Sequence, residues 1–371
     1  MRNVSKIQVF YREMPVGTLM LSPSENACIF AYGDEWLEGG GFSLSPLELP
    51  LRKDLFVSNP DKFHGNFAIF DDSMPDGYGL YLLNRMLRQE GSSLKDLTVL
   101  QALSLIGDAG MGALCYHPAV SLAKGESITD FDLLQRKALD VLSERRDDDA
   151  SLLYYNSGNS GGARPKAVYK DADGNWLVKF RHVYDPEDIG QNEYLYMTTA
   201  SECGIATPDF KLIGGRYFAS RRFDIKDGER VHTATAAALM MNDFRSQTAD
   251  YVNLLALTGY LTQDPSQVEQ MFRRMVFNVV ADNKDDHAKN FSFTYCEDSL
   301  WQLAPAYDLT YSPKGGATGE RATSVMYKGF PSRKDLVEAG RNIRISEKRC
   351  RQIIDEIIDV CSQRLPQIVQ I

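Results

Sequence analysis

The chain has no long apolar run. Nothing in its 371 residues approaches the ~18–20 consecutive apolar residues of a membrane-crossing helix, and the N-terminus lacks the apolar core of a secretory signal. A membrane role is therefore not expected, and the expected location is the cytoplasm. Cysteine is sparse. Cys28, Cys115, Cys203, Cys296, Cys350 and Cys361 are scattered, none forms a C-x-x-C pair, and no His stands at zinc-finger spacing. A structural zinc site or a disulfide framework is not indicated; buried, reduced thiols are. An excess of positive charge is missing too. Lys and Arg number 41 against 50 Asp and Glu, a net charge of −9. A chain this acidic is a poor stand-alone DNA binder, because phosphate contacts need concentrated cations. Any nucleic-acid role is expected to run through a partner. No internal repeat is evident.

What is present suits a soluble globular protein. The hydrophobic share is 43% and the charged share 25%, and the length allows two or three domains around sizeable cores. The most informative stretch is Asp282-Asn283-Lys284-Asp285-Asp286-His287-Ala288-Lys289-Asn290. An acidic loop after a helix is ordinarily a solvated one. The preceding segment weighs against that: Val268, Met271, Phe272, Met275, Val276, Val279 and Val280 recur at helical spacing, so the loop is carried on a buried helix, as a catalytic constellation requires. Phe291-Ser292-Phe293-Thr294-Tyr295 then alternates like a strand. Asp308 follows in Ala304-Pro305-Ala306-Tyr307-Asp308.

Asp285 and Asn290 stand five apart, the offset of the Asp and Asn in the protein-kinase catalytic loop, and Asp308 resembles the later metal-binding Asp of kinases. Phosphoryl transfer asks for such a set: an acid near the attacking hydroxyl, an amide and an acid on magnesium, and a cation on the phosphates. The alternative of a pure metal site from Asp282, Asp285 and His287 leaves the glycine loop described next without a role.

Residues 1–70 read as strand-rich, with strand-like Ile7–Tyr11 and Ala27–Tyr32. Residues 76–90 read as a helix with Leu80, Leu82, Leu83, Met86 and Leu87 on one side. Ile106–Leu114 has the look of a phosphate-binding glycine loop, but three glycines near a strand more often make a turn. Residues 143–151 are polar and suggest a boundary.

Beyond them, Ser157-Gly158-Asn159-Ser160-Gly161-Gly162-Ala163-Arg164-Pro165-Lys166 is either a surface turn or a loop whose backbone donors wrap an anion. It is not a Walker loop, because no Ser or Thr follows its Lys. Two strands, Ala167–Tyr169 and Trp176–Phe180, meet at an Asp173-Gly174 turn and carry Lys179 on the face opposite Val178 and Phe180. A helix over 191–203, closed by Gly204, bears Glu193, which either pairs with Lys179 or complements the helix dipole. Tyr217–Asp224 reads as a strand. Cys350, Ile353, Ile354, Ile357, Ile358 and Cys361 form the stripe of a last helix that faces the core.

Five ordered segments carry a resemblance to the HipA family of toxin serine/threonine kinases: Asp72–Gly79, Gly107–Leu114, Gly161–Ala167, Asn283–Asn290 and Ala304–Asp308. The resemblance implies an α+β, two-lobed, protein-kinase-like fold with an extra N-terminal strand-rich subdomain and a mainly helical C-lobe. The parts would be residues 1–150, a kinase N-lobe at 151–228, and a C-lobe at 229–371. It implies a Mg2+- and ATP-dependent kinase acting on a protein Ser or Thr, by family analogy an aminoacyl-tRNA synthetase. A helix-turn-helix antitoxin would be its partner, and DNA would be reached only through that partner.

By the same resemblance Asp285 is the base, Lys289 steadies the transferring phosphoryl group, and Asn290 and Asp308 hold Mg2+. Gly161 and Gly162 cover the ATP phosphates, Lys179 contacts them, and Glu193 pairs with Lys179. His287 is taken as a structural hydrogen-bonding residue. The family's autophosphorylated Ser, seven residues before the loop Lys, falls here on Asn159, so that role is displaced to Ser157 or Ser160. A small-molecule kinase and a kinase-shaped binding module without catalysis are the alternatives.

Overall fold

Alternation decides the first element. Ile7, Val9 and Tyr11 are buried while their neighbours turn outward, and Lys6–Tyr11 forms strand β1. The computed structural model describes residues 4–365 apart from 24–25, 124, 146–148, 159–160, 246–247, 297–300 and 317. The chain divides into two units, Met1–Glu187 with Asp224–Thr233, and Asp188–Phe223 with Ala234–Ile371. No helix among the described residues is long and apolar enough to cross a membrane.

In the first unit, β1 joins β2 (Met14–Leu21), β3 (Cys28–Tyr32), β4 (Phe56–Val57) and β5 (Leu114–His117) in an antiparallel sheet of order β4-β3-β2-β1-β5. Its buried face is aromatic. Phe30 meets Tyr32 and Phe70 edge-on, with ring centroids 5.0 and 5.1 Å apart, the offset that ring quadrupoles favour. Helices α1 (Asp34–Glu38), α2 (Ala68–Asp71), α3 (Gly77–Gln89) and α4 (Val99–Ile106) complete this part. As the periodicity predicts, α3 buries Leu82, Leu83, Met86 and Leu87; Leu80 is only half-buried. α4 begins with a reciprocal cap between Thr98 and Gln101.

The Gly107–Leu114 segment is a turn, and its chemistry is the reverse of a phosphate loop. The Arg230 guanidinium donates to the carbonyls of Asp108, Gly110 and Gly112. A phosphate loop presents N–H groups; this one presents carbonyls to a cation. Gly112 N–H in turn donates to Asp224 at 3.0 Å, so Asp224–Thr233 is held at both ends. Within that segment His232 is fully buried, and its Nε2 donates to the Leu44 carbonyl at 2.9 Å.

Burial pushes the His232 imidazole down to about 4, and the Leu44 bond only partly opposes it. Below a pH of roughly 6.5 the unfolded chain takes up a proton that the folded chain refuses. Stability is therefore expected to fall between about pH 6.5 and pH 4 by an amount on the order of 3 kcal/mol. Urea midpoints across that range check this: His232→Gln should flatten the slope.

α5 (Phe131–Leu142) and α6 (Ala150–Ser157) flank the polar 143–151 stretch inside this same unit, with Lys137 and Asp149 ion-paired at 2.6 Å. The hairpin of β6 (Lys166–Asp171) and β7 (Gly174–Lys179) follows. Asp171 sets its turn, accepting from Asp173 N–H, Gly174 N–H and Trp176 Nε1 at 2.8–3.1 Å.

The second unit opens with α7 (Ile189–Glu202), closed by Gly204 at φ +72° as the sequence predicts. A hairpin of β8 (Phe210–Ile213) and β9 (Tyr217–Arg221) follows; the strand expected over 217–224 stops at Arg221. The rest is mainly helical: α8 (Ala236–Leu239), α9 (Tyr251–Thr262), α10 (Pro265–Val280), α11 (Arg333–Asn342) and α12 (Glu347–Arg364). Gln263 in the left-handed region ends α9, and Asp264 caps α10 ahead of Pro265. The α12 stripe is core: Cys350, Ile353, Ile354, Ile357 and Cys361 are buried. α11 approaches it closely through Gly340, where a Cβ would overlap Cys350 Sγ and lie 2.7 Å from the Phe272 ring. Gly340→Ala is expected to destabilise by roughly 1–3 kcal/mol through overpacking, read as a lower urea midpoint.

Candidate active site

α10 delivers the acidic loop. All seven stripe residues named from the sequence are buried, and so are Arg273, Arg274 and Asn278. The chain leaves the helix through Asp282, whose φ of +55° is tolerated by Asp better than by most residues. A buried relay then fixes the loop. Asn283 Nδ2 donates to Asn278 Oδ1 at 3.0 Å, Asn278 Nδ2 to the Tyr251 hydroxyl at 2.9 Å, and that hydroxyl to Asp286 at 2.7 Å.

Asp286 is the hub. Its carboxylate is fully buried and also accepts from Arg321 Nε and Nη2 (3.1 and 2.9 Å) and from Thr323 N–H (3.1 Å). Arg321 Nη2 further donates to the Asn283 carbonyl at 2.9 Å. Charge this deep is tolerated because each partner is hydrogen-bonded. Burial first, and the Asp286 charge second, push the Tyr251 phenol well above its usual range.

On this base Asp285 is exposed. Asn290 Nδ2 donates to the Asp285 main-chain carbonyl at 2.7 Å, which closes the five-residue offset seen in the sequence. That bond also fixes which end of the Asn290 amide is the oxygen. Lys289 Nζ lies 5.2 Å from the Phe244 ring centroid, and the His287 imidazole packs on the same ring at 5.2 Å. Among the described residues His287 Nδ1 is buried without a hydrogen-bond partner, while the His287 carbonyl accepts from Asn290 N–H. The hydrogen-bonding role expected of the imidazole is thus corrected to ring packing at Nδ1's expense. Among the described residues no three His, Cys, Asp or Glu side chains gather as a metal-holding cluster, so Asp282, Asp285 and His287 do not form one.

Asp308 is brought to the loop by its neighbour. The Tyr307 hydroxyl donates to the Lys289 carbonyl at 2.7 Å, so Ser292 Oγ, 2.6 Å away, must be the donor in the second bond. Arg274, fully desolvated and pushed down to about 10 by burial, donates to the Ala304 carbonyl at 2.6 Å. Ala304 N–H donates to Ser292, and Ala306 N–H to Ala206. Asp308 itself has φ +57°, a backbone state that concentrates at functional sites. Asn290 and Asp308 offer the hard oxygen donors that Mg2+ prefers, so the residue types fit that ion.

In the first unit, Lys166 and Lys179 are directly opposed across the β6–β7 ladder. Lys166 is buried and its ammonium folds onto the Gly161 carbonyl. Arg164 holds Asp185 through two bonds of 2.9 and 3.2 Å. Burial alone would raise the Asp185 carboxyl, but Arg164 and the His182 N–H outweigh it and hold it below the usual range. Ser157 ends α6, is buried, and donates to the Tyr154 and Gly158 carbonyls; phosphate could reach it only if that turn opened. Ser160, with Asn159, lies outside the described residues. Lys179 belongs to the first unit; Glu193, Asp285, Asn290 and Asp308 belong to the second. Glu193 is 2% exposed in the second turn of α7, too far along for the dipole to be its main partner.

Three residues escaped the sequence reading. Asp286 carried one signal, the Asp-Asp doublet. Arg321 carried none, since 35 residues separate it from its partner. Lys166 could have been found by pairing the hairpin in register.

Comparison with known proteins agrees with this architecture. Residues 158–365 match the model of the HipA-like C-terminal domain, and residues 7–117 that of the HipA N-terminal domain. A structure of the Shewanella oneidensis MR-1 toxin–antitoxin system, HipA with HipB and operator DNA, superposes with a TM-score of 0.69 over 98% of this chain and 92% of that one, at 16% identity. A putative kinase of Sinorhizobium fredii, Y4dM, is 27% identical over 173 residues, covering 42% of this chain and 41% of the relative. A putative kinase of Haemophilus influenzae is 25% identical over 238 residues, 53% of this chain and 67% of that one. The match thus spans less than half the length of the first relative. The fold is the mixed α+β, kinase-like fold of HipA. The chain belongs to the HipA family, by both of its domain models.

Proposed function

We infer that the protein is a Mg2+- and ATP-dependent serine/threonine protein kinase that acts as the toxin of a toxin–antitoxin pair. The observation that carries this is the coupling of the Asp285–Asn290 loop to the Asp308 segment through the Tyr307 hydroxyl. Asp285 would orient the substrate hydroxyl. Its carboxylate would accept the proton of that hydroxyl as transfer proceeds. Asn290 and Asp308 would hold Mg2+, which neutralises charge on the phosphates when bound. Lys289 would steady the transferring group.

Lys179, with Gly161 and Gly162, would meet the ATP phosphates, and Lys166 joins them. Two ammonium groups opposed across a ladder repel one another, a penalty that a bound polyanion relieves. A carboxylate as buried as Glu193 requires a donor or cation, and Lys179 is the one assigned. The proposed domains are residues 1–150, a kinase N-lobe at 151–228 and a helical C-lobe at 229–371. The Shewanella complex contains HipB and operator DNA, which supports a helix-turn-helix antitoxin as partner and DNA contact only through it. The substrate is a cellular protein, by family analogy an aminoacyl-tRNA synthetase.

The test is transfer of label from γ-labelled ATP in a cell lysate with the purified protein. Label in a discrete protein band at Ser or Thr is the expected result. Label confined to small metabolites would replace this reading with small-molecule phosphorylation, and ATP binding without turnover would replace it with a binding module.

A further inference from the structure

We propose that Asp76, in the N-terminal domain, is a positioning residue for the glycine loop, so that the segment Asp76-Gly77-Tyr78 forms part of the nucleotide site. Asp76 occupies the N-cap position of α3, where an Asp ordinarily accepts from the N–H groups of its own first turn. It makes no such cap bond. Its Oδ1 instead accepts the N–H of Gly162, 86 residues away. Two residues on, Tyr78 N–H donates to the Gly162 carbonyl at 3.0 Å. Both polar groups of Gly162 are therefore held by one short segment, and the loop cannot shift without breaking both bonds.

The approach is too close for side chains. A Cβ on Gly77 would overlap the Gly162 carbonyl, and one on Gly161 would lie 3.0 and 3.3 Å from the two Asp76 oxygens. Gly77 and Gly162 also have φ of +46° and +92°, values that glycine adopts without strain. On the far side the Lys166 ammonium holds the Gly161 carbonyl. The loop is thus fastened on one side by its own lysine and on the other by the N-terminal domain, all inside the first unit. Because Asp76 takes the Gly162 N–H, that donor does not face a phosphate. Its work is to hold the loop's shape, leaving the ammonium groups of Lys166 and Lys179 to meet the anion.

This inference rests on the nucleotide role proposed above, and two measurements keep them apart. Protein labelled with 15N-glycine reports exchange at the Gly162 amide without nucleotide. Steady-state assays report KM for ATP and kcat separately. Asp76→Ala is expected to speed Gly162 exchange and to raise KM for ATP about tenfold with kcat changed less than about threefold, the scale of one lost charge-assisted hydrogen bond. Asp76→Asn, which keeps Oδ1 and needs no repacking, should restore most of both. Gly162 exchange unchanged in Asp76→Ala, or KM for ATP equal to or below wild type, would overturn the proposal; a lower KM would mean that Asp76 blocks the loop. If the wild type binds no ATP the kinase reading falls, and the exchange measurement still decides whether Asp76 fixes the loop.

Discussion

Asp308→Asn is expected to lower phosphoryl transfer by at least about 10^3-fold, since a bound metal contributes several kcal/mol of charge stabilisation in such transition states. Asn suits the position. It tolerates the left-handed backbone of Asp308 better than Ala, so a loss of transfer at an unchanged urea midpoint reports on metal holding rather than on folding. Asp285→Asn is the companion. The Asn290 bond goes to the main-chain carbonyl of Asp285 and not to its carboxylate, so the loop should keep its shape. Transfer is expected to fall by roughly 10^2–10^4-fold, the range for removal of a positioned base. Labelled-phosphate transfer and growth arrest on expression should drop together in both variants. Equal transfer by wild type and both variants would remove the kinase assignment.

The second large effect is expected at a pair that touches no substrate. Asp286→Leu alone should destabilise the second unit by roughly 3–5 kcal/mol, because the Arg321 guanidinium, 3% exposed, would be left in the interior without its counter-ion. Arg321→Met should do the same by stranding the carboxylate. Removing both charges, as Asp286→Leu with Arg321→Met, should recover much of the loss, since buried ion pairs often exchange for apolar residues at little net change. Recovery should stop short of wild type, because the Tyr251 hydroxyl and the Thr323 N–H lose their acceptor, at about 1–3 kcal/mol per orphaned group. A double-mutant cycle on urea midpoints checks the coupling. Strictly additive losses would mean that the pair does not act as a unit.

The helices that carry the candidate site were legible because burial imposes a period. α10, α12 and the closure of α7 at Gly204 follow from apolar spacing and one positive-φ residue, which are local facts. The Asp285–Asn290 offset was legible for the same reason: both ends lie within one loop. What the sequence hid was long-range. Asp286 looks like its exposed neighbour Asp285, and only Arg321 and Thr323, far along the chain, make Asp286 a buried anchor while Asp285 stays at the surface. The glycine turn at 107–114 looked like a possible phosphate loop, and only Arg230 reveals that three of its carbonyls are turned to a cation. The imidazole of His287 suggested hydrogen bonding, whereas Phe244 supplies it with a ring to pack on.

The fan of bonds from Arg230 to the 107–112 turn bears on how such a protein can be cut or split. A conventional truncation that discards the first ~120 residues, typical of one domain, would strip the guanidinium of three carbonyls at once and deprive the buried His232 of the Leu44 carbonyl it donates to. A fragment made this way is expected to be insoluble. The missing piece, co-expressed as a separate polypeptide, should rescue it, much as the two halves of a split reporter regain function only on reassembly.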